Sequence, residues 1–255
     1  MRCYALGSNT RGAEVLQNFS DGVKGEFIRE GSKYSGGDIA VWGLLRGAKE
    51  LRQQVKAAGC TYYAFDHAYI GREENFRVTR NGFQQTEIVD RPIDRWQRLK
   101  DKYRPQVKDW RKGGSYILMA MSSSMVYEYF DQVGWEGLTT YEIRRHTDRP
   151  IVVRKKSDHE NLQAQLAKAW CVVTHASMVA VDAVIAGVPV YVTGPSIARP
   201  MGQTDLSRIE EPVFPEREAW FRSLAYSQFT LKDMKHGIVK PLLDENPQDF
   251  DHYGW

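Results

Sequence analysis

Residues 169 to 195 read AWCVVTHASMVAVDAVIAGVPVYVTGP, and no other stretch narrows the fold as much. Trp170 to Thr174 is a run of apolar and β-branched residues, the pattern of a strand covered on both faces. A small-residue turn, His175-Ala176-Ser177, leads into an apolar helix from Met178 to Ala186. Gly187 and Pro189 stop that helix and open the next strand, Val188 to Thr193. The first amides of such a helix have no intrahelical partner and point outward. Together with the macrodipole they favour an anion such as phosphate, and the Ser177 hydroxyl is a further donor.

The same alternation runs through the rest of the chain. Arg2 to Leu6 is a strand, followed by the turn Gly7-Ser8-Asn9 and a helix that begins near Arg11. Asp38 to Trp42 leads into a helix from Leu45 to Ala58, closed by Gly59. Thr61 to Phe65 is rich in β-formers and ends at the polar pair Asp66-His67. Beyond Pro92 and Pro105, Ser115 to Ala120 forms a strand running into Ser122-Ser123-Ser124. Pro150 to Arg154 is another strand, and Leu162 to Lys168 a helix. Strands alternating with helices predict parallel sheets with helices on their faces, whose ligands gather at the carboxyl ends of the strands. At 255 residues the chain is long enough for two such lobes. The fold class expected is therefore α/β, with two Rossmann-like lobes and a cleft between them. Residues 1 to 105 form the first lobe and 106 to 214 the second. The tail, 215 to 255, returns as helices to pack on the first lobe, burying the stripe Trp220, Phe221, Leu224, Phe229 and Leu231.

Composition excludes several classes. No run approaches the roughly 18 apolar residues that cross a bilayer, and MRCYALGSNT lacks the apolar core of a secretory signal, so a cytoplasmic protein is expected. The three cysteines, Cys3, Cys60 and Cys171, are far apart and fit buried free thiols better than disulfides or metal ligands. A net charge of +3 is too mild to imply nucleic-acid binding by itself. Residues 91 to 112, however, concentrate Arg and Lys with two tryptophans and a tyrosine. They read as a phosphate-following surface or as a solvated amphipathic helix with its loop. No Walker or GxGxxG pattern is present, and no DxD pair appears in a loop after a strand.

The order strand, Ser, apolar helix bearing an acidic residue, Ala, Gly-x-Pro-Val, strand, Gly resembles the donor-binding segment of GT-B glycosyltransferases. The resemblance is to the form found in capsular-polysaccharide sugar transferases. It implies that the turn Thr174, His175, Ala176 and Ser177 holds donor phosphates. It also implies that Asp182, standing where many relatives carry Glu, contacts the donor's sugar or ribose. Through YYAFDHAYIGR, FRVTRNG, TDRPIVVRKK and IEEPVFPEREAWFRSLAYSQFT the wider chain is similar to a group of bacteriophage glycosyltransferases. That similarity implies a phage origin, a host-cytoplasmic setting and double-stranded DNA with 5-hydroxymethylpyrimidines as acceptor.

On that footing the other candidates fall into place. Arg149, Arg154 and Lys156 stand at the two ends of one short strand and are candidates for the diphosphate, which guanidinium groups grip with paired hydrogen bonds. Basic strand ends that merely face water are the ordinary alternative. Ser122 and Ser123 follow the first strand of the second lobe and can hold a phosphate or sugar hydroxyl, or simply form a flexible turn. Asp66 is the leading general base for the acceptor hydroxyl, with His67 next; a salt bridge from Asp66 to Arg72 or Arg77 is the structural alternative. Tyr69, Arg72, Arg77 and Arg80 are acceptor-binding candidates, although 77 to 81 reads equally as a hairpin ending at Asn81-Gly82. The co-substrate is a nucleoside diphosphate sugar, with no metal and no further cofactor. Two rival functions share this scaffold: a polysaccharide or lipid sugar transferase, and a non-catalytic nucleotide or nucleic-acid binding protein.

Overall fold

The computed structural model describes residues 1–6, 9–29, 33–44 and 47–245. Gly7 and Ser8 of the first turn, and Leu45 and Arg46 of the second expected helix, lie outside the described residues. In chain order the elements are β1 (Arg2–Tyr4), α1 (Thr10–Gly22), β2 (Glu26–Ile28), β3 (Ile39–Trp42), α2 (Ala48–Ala57), β4 (Tyr62–His67) and β5 (Asn75–Arg80). Next come α3 (Asp94–Tyr103), β6 (Tyr116–Ala120), α4 (Ser124–Tyr129), α5 (Trp135–Arg144), β7 (Ile151–Arg154), α6 (Leu162–Leu166) and β8 (Ala169–Thr174). The remainder is α7 (Val179–Ile185), β9 (Val190–Val192), α8 (Glu218–Ala225), β10 (Gln228–Thr230), α9 (Leu231–Lys235) and α10 (Val239–Asp244). Two units result: Met1–Gln85 with Arg91–Leu99 and Arg222–Trp255, and Thr86–Asp90 with Lys100–Phe221.

The first unit holds a six-stranded sheet in the order β10-β5-β4-β3-β1-β2. Strands β2, β1, β3 and β4 are parallel, as the alternation predicts, but β5 runs antiparallel to both β4 and β10. The tail expected to be purely helical therefore contributes a strand. Phe229, fully buried, stands opposite Phe76. Its burial, together with Phe19, Tyr63, Phe65 and Met234, forms the core on one face of the sheet. Thr230 then caps α9 reciprocally with Asp233, which turns the chain sharply from strand to helix.

The second unit holds a four-stranded, fully parallel sheet in the order β7-β6-β8-β9. Ile117, Met119, Cys171, Val173 and Tyr191 pack from these strands against Trp135 and Ile143 of α5. Central strands with apolar residues on both faces are what a doubly covered parallel sheet requires. Gly187, at φ 72°, ends α7 where the chain ahead of β6 crosses it: a Cβ there would fall 2.0 Å from the Asp109 carbonyl oxygen. Lys108 and Arg111 donate backbone hydrogen bonds to Ile185 and Gly187 across the same crossing. Glycine is thus fixed by backbone contact as well as by its left-handed conformation.

Candidate functional site

At the carboxyl edge of the second sheet, the loops after β6 and β8 are tied together by hydroxyl groups. Thr174 Oγ1 donates to the Ala120 carbonyl at 2.6 Å and accepts the Ser177 amide at 3.2 Å. Ser122 Oγ accepts the Ala176 amide at 3.3 Å, while the Ser122 amide donates to the Tyr127 hydroxyl at 3.0 Å. Ser177 Oγ accepts the Val179 amide at 3.4 Å. The serine run is also more ordered than a flexible turn, because Ser123 is the N-cap of α4 and Ser124 its first residue. Unpartnered amides ahead of Met178 were expected; at Ala176, Ser177 and Val179 the amides are instead satisfied by neighbouring hydroxyls. The reason is that Thr174 and Ser177 within the turn, and Ser122 from the loop after β6, set hydroxyl oxygens against these N–H groups.

His175 is 4% exposed, and burial lowers its pKa to about 4, so the imidazole is neutral at physiological pH. Its ring lies among Tyr127, Phe130 and Trp135, with centroids 6.0, 5.5 and 6.4 Å away. Gly194 backs the ring so closely that a Cβ would sit 2.4 Å from Cε1. Nδ1 lies 3.4 Å from Thr193 Oγ1, which accepts the Trp135 indole N–H at 2.8 Å. The indole can only donate, so Thr193 Oγ1 accepts from it and keeps one proton and one lone pair, which serve either tautomer of the His175 ring at Nδ1. Nε2 is buried without a hydrogen-bond partner. The turn therefore holds a neutral ring, not a cation. Tyr127, Trp135 and Thr193 complete this arrangement, and sequence reasoning missed all three because their meeting depends on residues of α4, α5 and the loop after β9 coming together in the fold.

The expected cations separate. Arg154, at the carboxyl end of β7, donates to the Glu160 carbonyl at 3.0 Å and to Gln165 Oε1 at 2.5 Å, so the loop entering α6 holds it. Lys156 is exposed in the following turn. Arg149 lies at the opposite, amino edge of the sheet: its guanidinium stacks 3.9 Å over Trp170, pairs with Glu210 and donates to the Gly114 carbonyl. Arg149 thus does not join the carboxyl-edge group, because Glu210 and Trp170 supply the partners a guanidinium needs. Asp182 sits half-buried in α7.

In the first unit, Asp66 and His67 end β4. Asp66 Oδ2 accepts from Arg77 at 2.7 Å, and Oδ1 accepts the His67 amide at 2.7 Å. Arg77 is buried against Phe83 and Tyr69, at 4.6 and 5.9 Å from their ring centroids. His67 is exposed and packs edge-on against Trp42 at 5.3 Å. Tyr69 is buried as well, its amide held by the Gln228 side chain at 3.1 Å. Arg80 lies at the other end of the hairpin, opposite Tyr63 and paired with Asp244. Of the four acceptor-binding candidates, Arg72 is the exposed one. The antiparallel β4–β5 pairing is what draws Arg77 inward and carries Arg80 away. The basic segment at 91 to 112 is likewise partly consumed internally. Arg95 binds the Gln228 carbonyl and Asp233, and Arg111 binds the carbonyls that end α6.

Among the described residues, no group of three or more His, Cys, Asp or Glu side chains is placed to hold a metal, and no helix is long and apolar enough to cross a membrane. No family model matches the chain, and no curated protein matches it. Solved structures do. The Thermosulfurimonas dismutans KpsC beta Kdo 2,7 transferase aligns with a TM-score of 0.55 at 13% identity, over 94% of this chain and 99% of that one. The beta Kdo 2,4 transferase of the same KpsC aligns with a TM-score of 0.50 at 12% identity, over 95% and 98%. The likeness shows the fold: a Rossmann-like α/β architecture that extends over nearly the whole of both chains.

Proposed function

We propose that this protein transfers a sugar from a nucleotide-linked donor to an acceptor hydroxyl, with the donor phosphates at the carboxyl ends of β6 and β8. The observation that carries the proposal is the hydroxyl-tied turn of Ser122, Thr174 and Ser177, on a fold matched along its length by two Kdo transferases. The Ala176 and Val179 amides make long bonds to serine hydroxyls, 3.3 and 3.4 Å against the usual 2.9–3.0 Å. A phosphate oxygen is the stronger acceptor and displaces them, after which both serine hydroxyls become donors to the same anion. Arg154 and Lys156 add positive charge as the bond between the anomeric carbon and the phosphate oxygen breaks, and Asp182 meets the donor's sugar or ribose.

The acceptor hydroxyl loses its proton to the Asp66–His67 pair. Both Asp66 oxygens already accept hydrogen bonds, whereas His67 is exposed, so we assign the proton to the His67 ring with Asp66 as a positioning residue. Asp66→Asn and His67→Ala test this: lost turnover with retained donor affinity supports transfer, while unchanged behaviour in every assay supports a non-catalytic binding protein.

The deciding experiment incubates the protein with labelled nucleotide sugars, a Kdo nucleotide among them, and with saccharide, lipid and DNA acceptors. Absence of binding, hydrolysis and transfer with every donor overturns the proposal. Sequence resemblance supports 5-hydroxymethylpyrimidine DNA as the first acceptor to test. A DNA acceptor predicts binding that weakens steeply with salt, and a saccharide acceptor little salt dependence. Transfer is proposed to need no metal or cofactor, so a chelator leaves the rate unchanged.

A further inference from the structure

At the carboxyl ends of β3 and β4 the first sheet presents two rings side by side. Trp42 stands opposite Phe65 in the parallel pairing, and His67 opposite Phe76 in the antiparallel one. Side chains alternate along a strand, so Trp42, Phe65, His67 and Phe76 share one face. Phe65 and Phe76 are fully buried in the core of that face. His67, two residues beyond Phe65, emerges into solvent, and Trp42 is half-buried beside it, with the ring centroids 5.3 Å apart and the planes at 86°. The indole is fixed from behind. Phe76 meets it at 5.9 Å, and Gly12 in the first turn of α1 lies so close that a Cβ there would fall 2.5 Å from the indole Cγ. The indole N–H is not buried, and among the described residues no group hydrogen-bonds it or the His67 ring nitrogens.

An indole can only donate, whereas a neutral imidazole offers a lone pair that takes a proton. A donor and a proton acceptor side by side match two adjacent hydroxyl groups of one ligand. The charged neighbours are already paired, Asp66 with Arg77, and Arg11, which lies over Phe76, with Glu14. That balance suits a neutral polyol better than the polyanionic backbone of a duplex. We infer that Trp42 and His67 together bind a vicinal diol of a saccharide acceptor, with Trp42 selecting for the second hydroxyl. The inference rests on the reading of His67 as the group that takes the acceptor's proton. One hydroxyl oxygen bonds to the donor's anomeric carbon while the bond from that carbon to the phosphate oxygen breaks. The phosphate leaves with the electron pair, and the hydroxyl proton passes to the His67 ring. The neighbouring hydroxyl oxygen accepts from the Trp42 indole N–H, which holds the diol in one orientation.

The indole N–H is itself the reporter. In the intact chain, labelled with nitrogen-15, the seven indole resonances are followed by NMR, that of Trp42 being the one lost in Trp42→Phe. The probes are a panel of methyl pyranosides, cyclohexanol as a lone hydroxyl, and a duplex carrying 5-hydroxymethylcytosine. A pyranoside is expected to move the Trp42 indole and the His67 ring resonances together, while cyclohexanol and the duplex leave the indole in place. In Trp42→Phe, which keeps a ring and loses the N–H, the His67 shift should need about fivefold more pyranoside. His67 is exposed, so His67→Ala carries the test if Trp42→Phe does not fold, and there the indole shift should need more pyranoside as well. No shift with any pyranoside, an equal shift with cyclohexanol, a shift with the duplex alone, or an undiminished response in His67→Ala overturns the inference. Pyranoside binding without hydrolysis or transfer of any nucleotide sugar upholds the diol site and overturns the transfer reading instead.

Discussion

Thr174, at the end of β8, donates its hydroxyl proton to the carbonyl oxygen of Ala120, at the end of β6, over 2.6 Å. Neighbouring strands of a parallel sheet are already joined by their backbones; this bond extends the join into the loops, where the Ser177 amide then finds the same hydroxyl. Replacing Thr174 by Val keeps the shape and removes both bonds. Because the residue is fully buried, we expect Thr174→Val to lower stability by about 1–3 kcal/mol. Urea unfolding should show this as a lower midpoint with an unchanged slope. If the turn holds the donor, donor affinity falls in the same variant.

His175 gives the protein a defined response to acid. Its pKa is depressed by burial from the ordinary 6.5 to about 4. The unfolded chain therefore takes up a proton first, and the stability tied to the neutral ring is complete above pH 6.5 and lost as the pH falls towards 4. The full loss is about 3 kcal/mol. His175→Gln, which does not titrate, should flatten that part of the stability profile between pH 7 and 4.5.

The contact between His175 and Gly194 leaves no room for a side chain. A Cβ at position 194 would approach Cε1 to 2.4 Å and Nδ1 and Nε2 to 2.6 Å, and the aromatic rings around His175 prevent it from moving aside. Gly194→Ala should cost about 1–3 kcal/mol by overpacking. Adding His175→Ala should restore part of that loss, a non-additivity measurable in a double-mutant cycle.

Arg149 separates structural from donor-binding roles. Lysine cannot reproduce both the stack on Trp170 and the paired contact with Glu210. Arg149→Lys should lower stability by about 1 kcal/mol, measured by thermal unfolding, and leave donor affinity unchanged. The same substitution at Arg154 should weaken donor binding, since Arg154 stands at the carboxyl edge.

The strands that the sequence made legible share one property: β3, β6 and β8 are buried on both faces, so their apolar runs are contiguous and need no knowledge of partners. The turn at 174 to 177 was legible for a related reason, since small polar residues between a buried strand and an apolar helix mark a reversal of the chain. Residues 228 to 230, with Gln and Thr flanking a single Phe, carry no such signal. They are a strand because Phe76 lies opposite Phe229, more than a hundred and fifty positions away in the chain. Likewise the sequence placed Arg149 and Arg154 at the two ends of one strand, but only the fold decided that one would be consumed by Glu210 and Trp170 and the other held by Glu160 and Gln165 at the carboxyl edge. Burial patterns are written locally, in the period of a strand or helix. Which charged group meets which partner depends on contacts between distant segments, and those exist only once the sheets have formed.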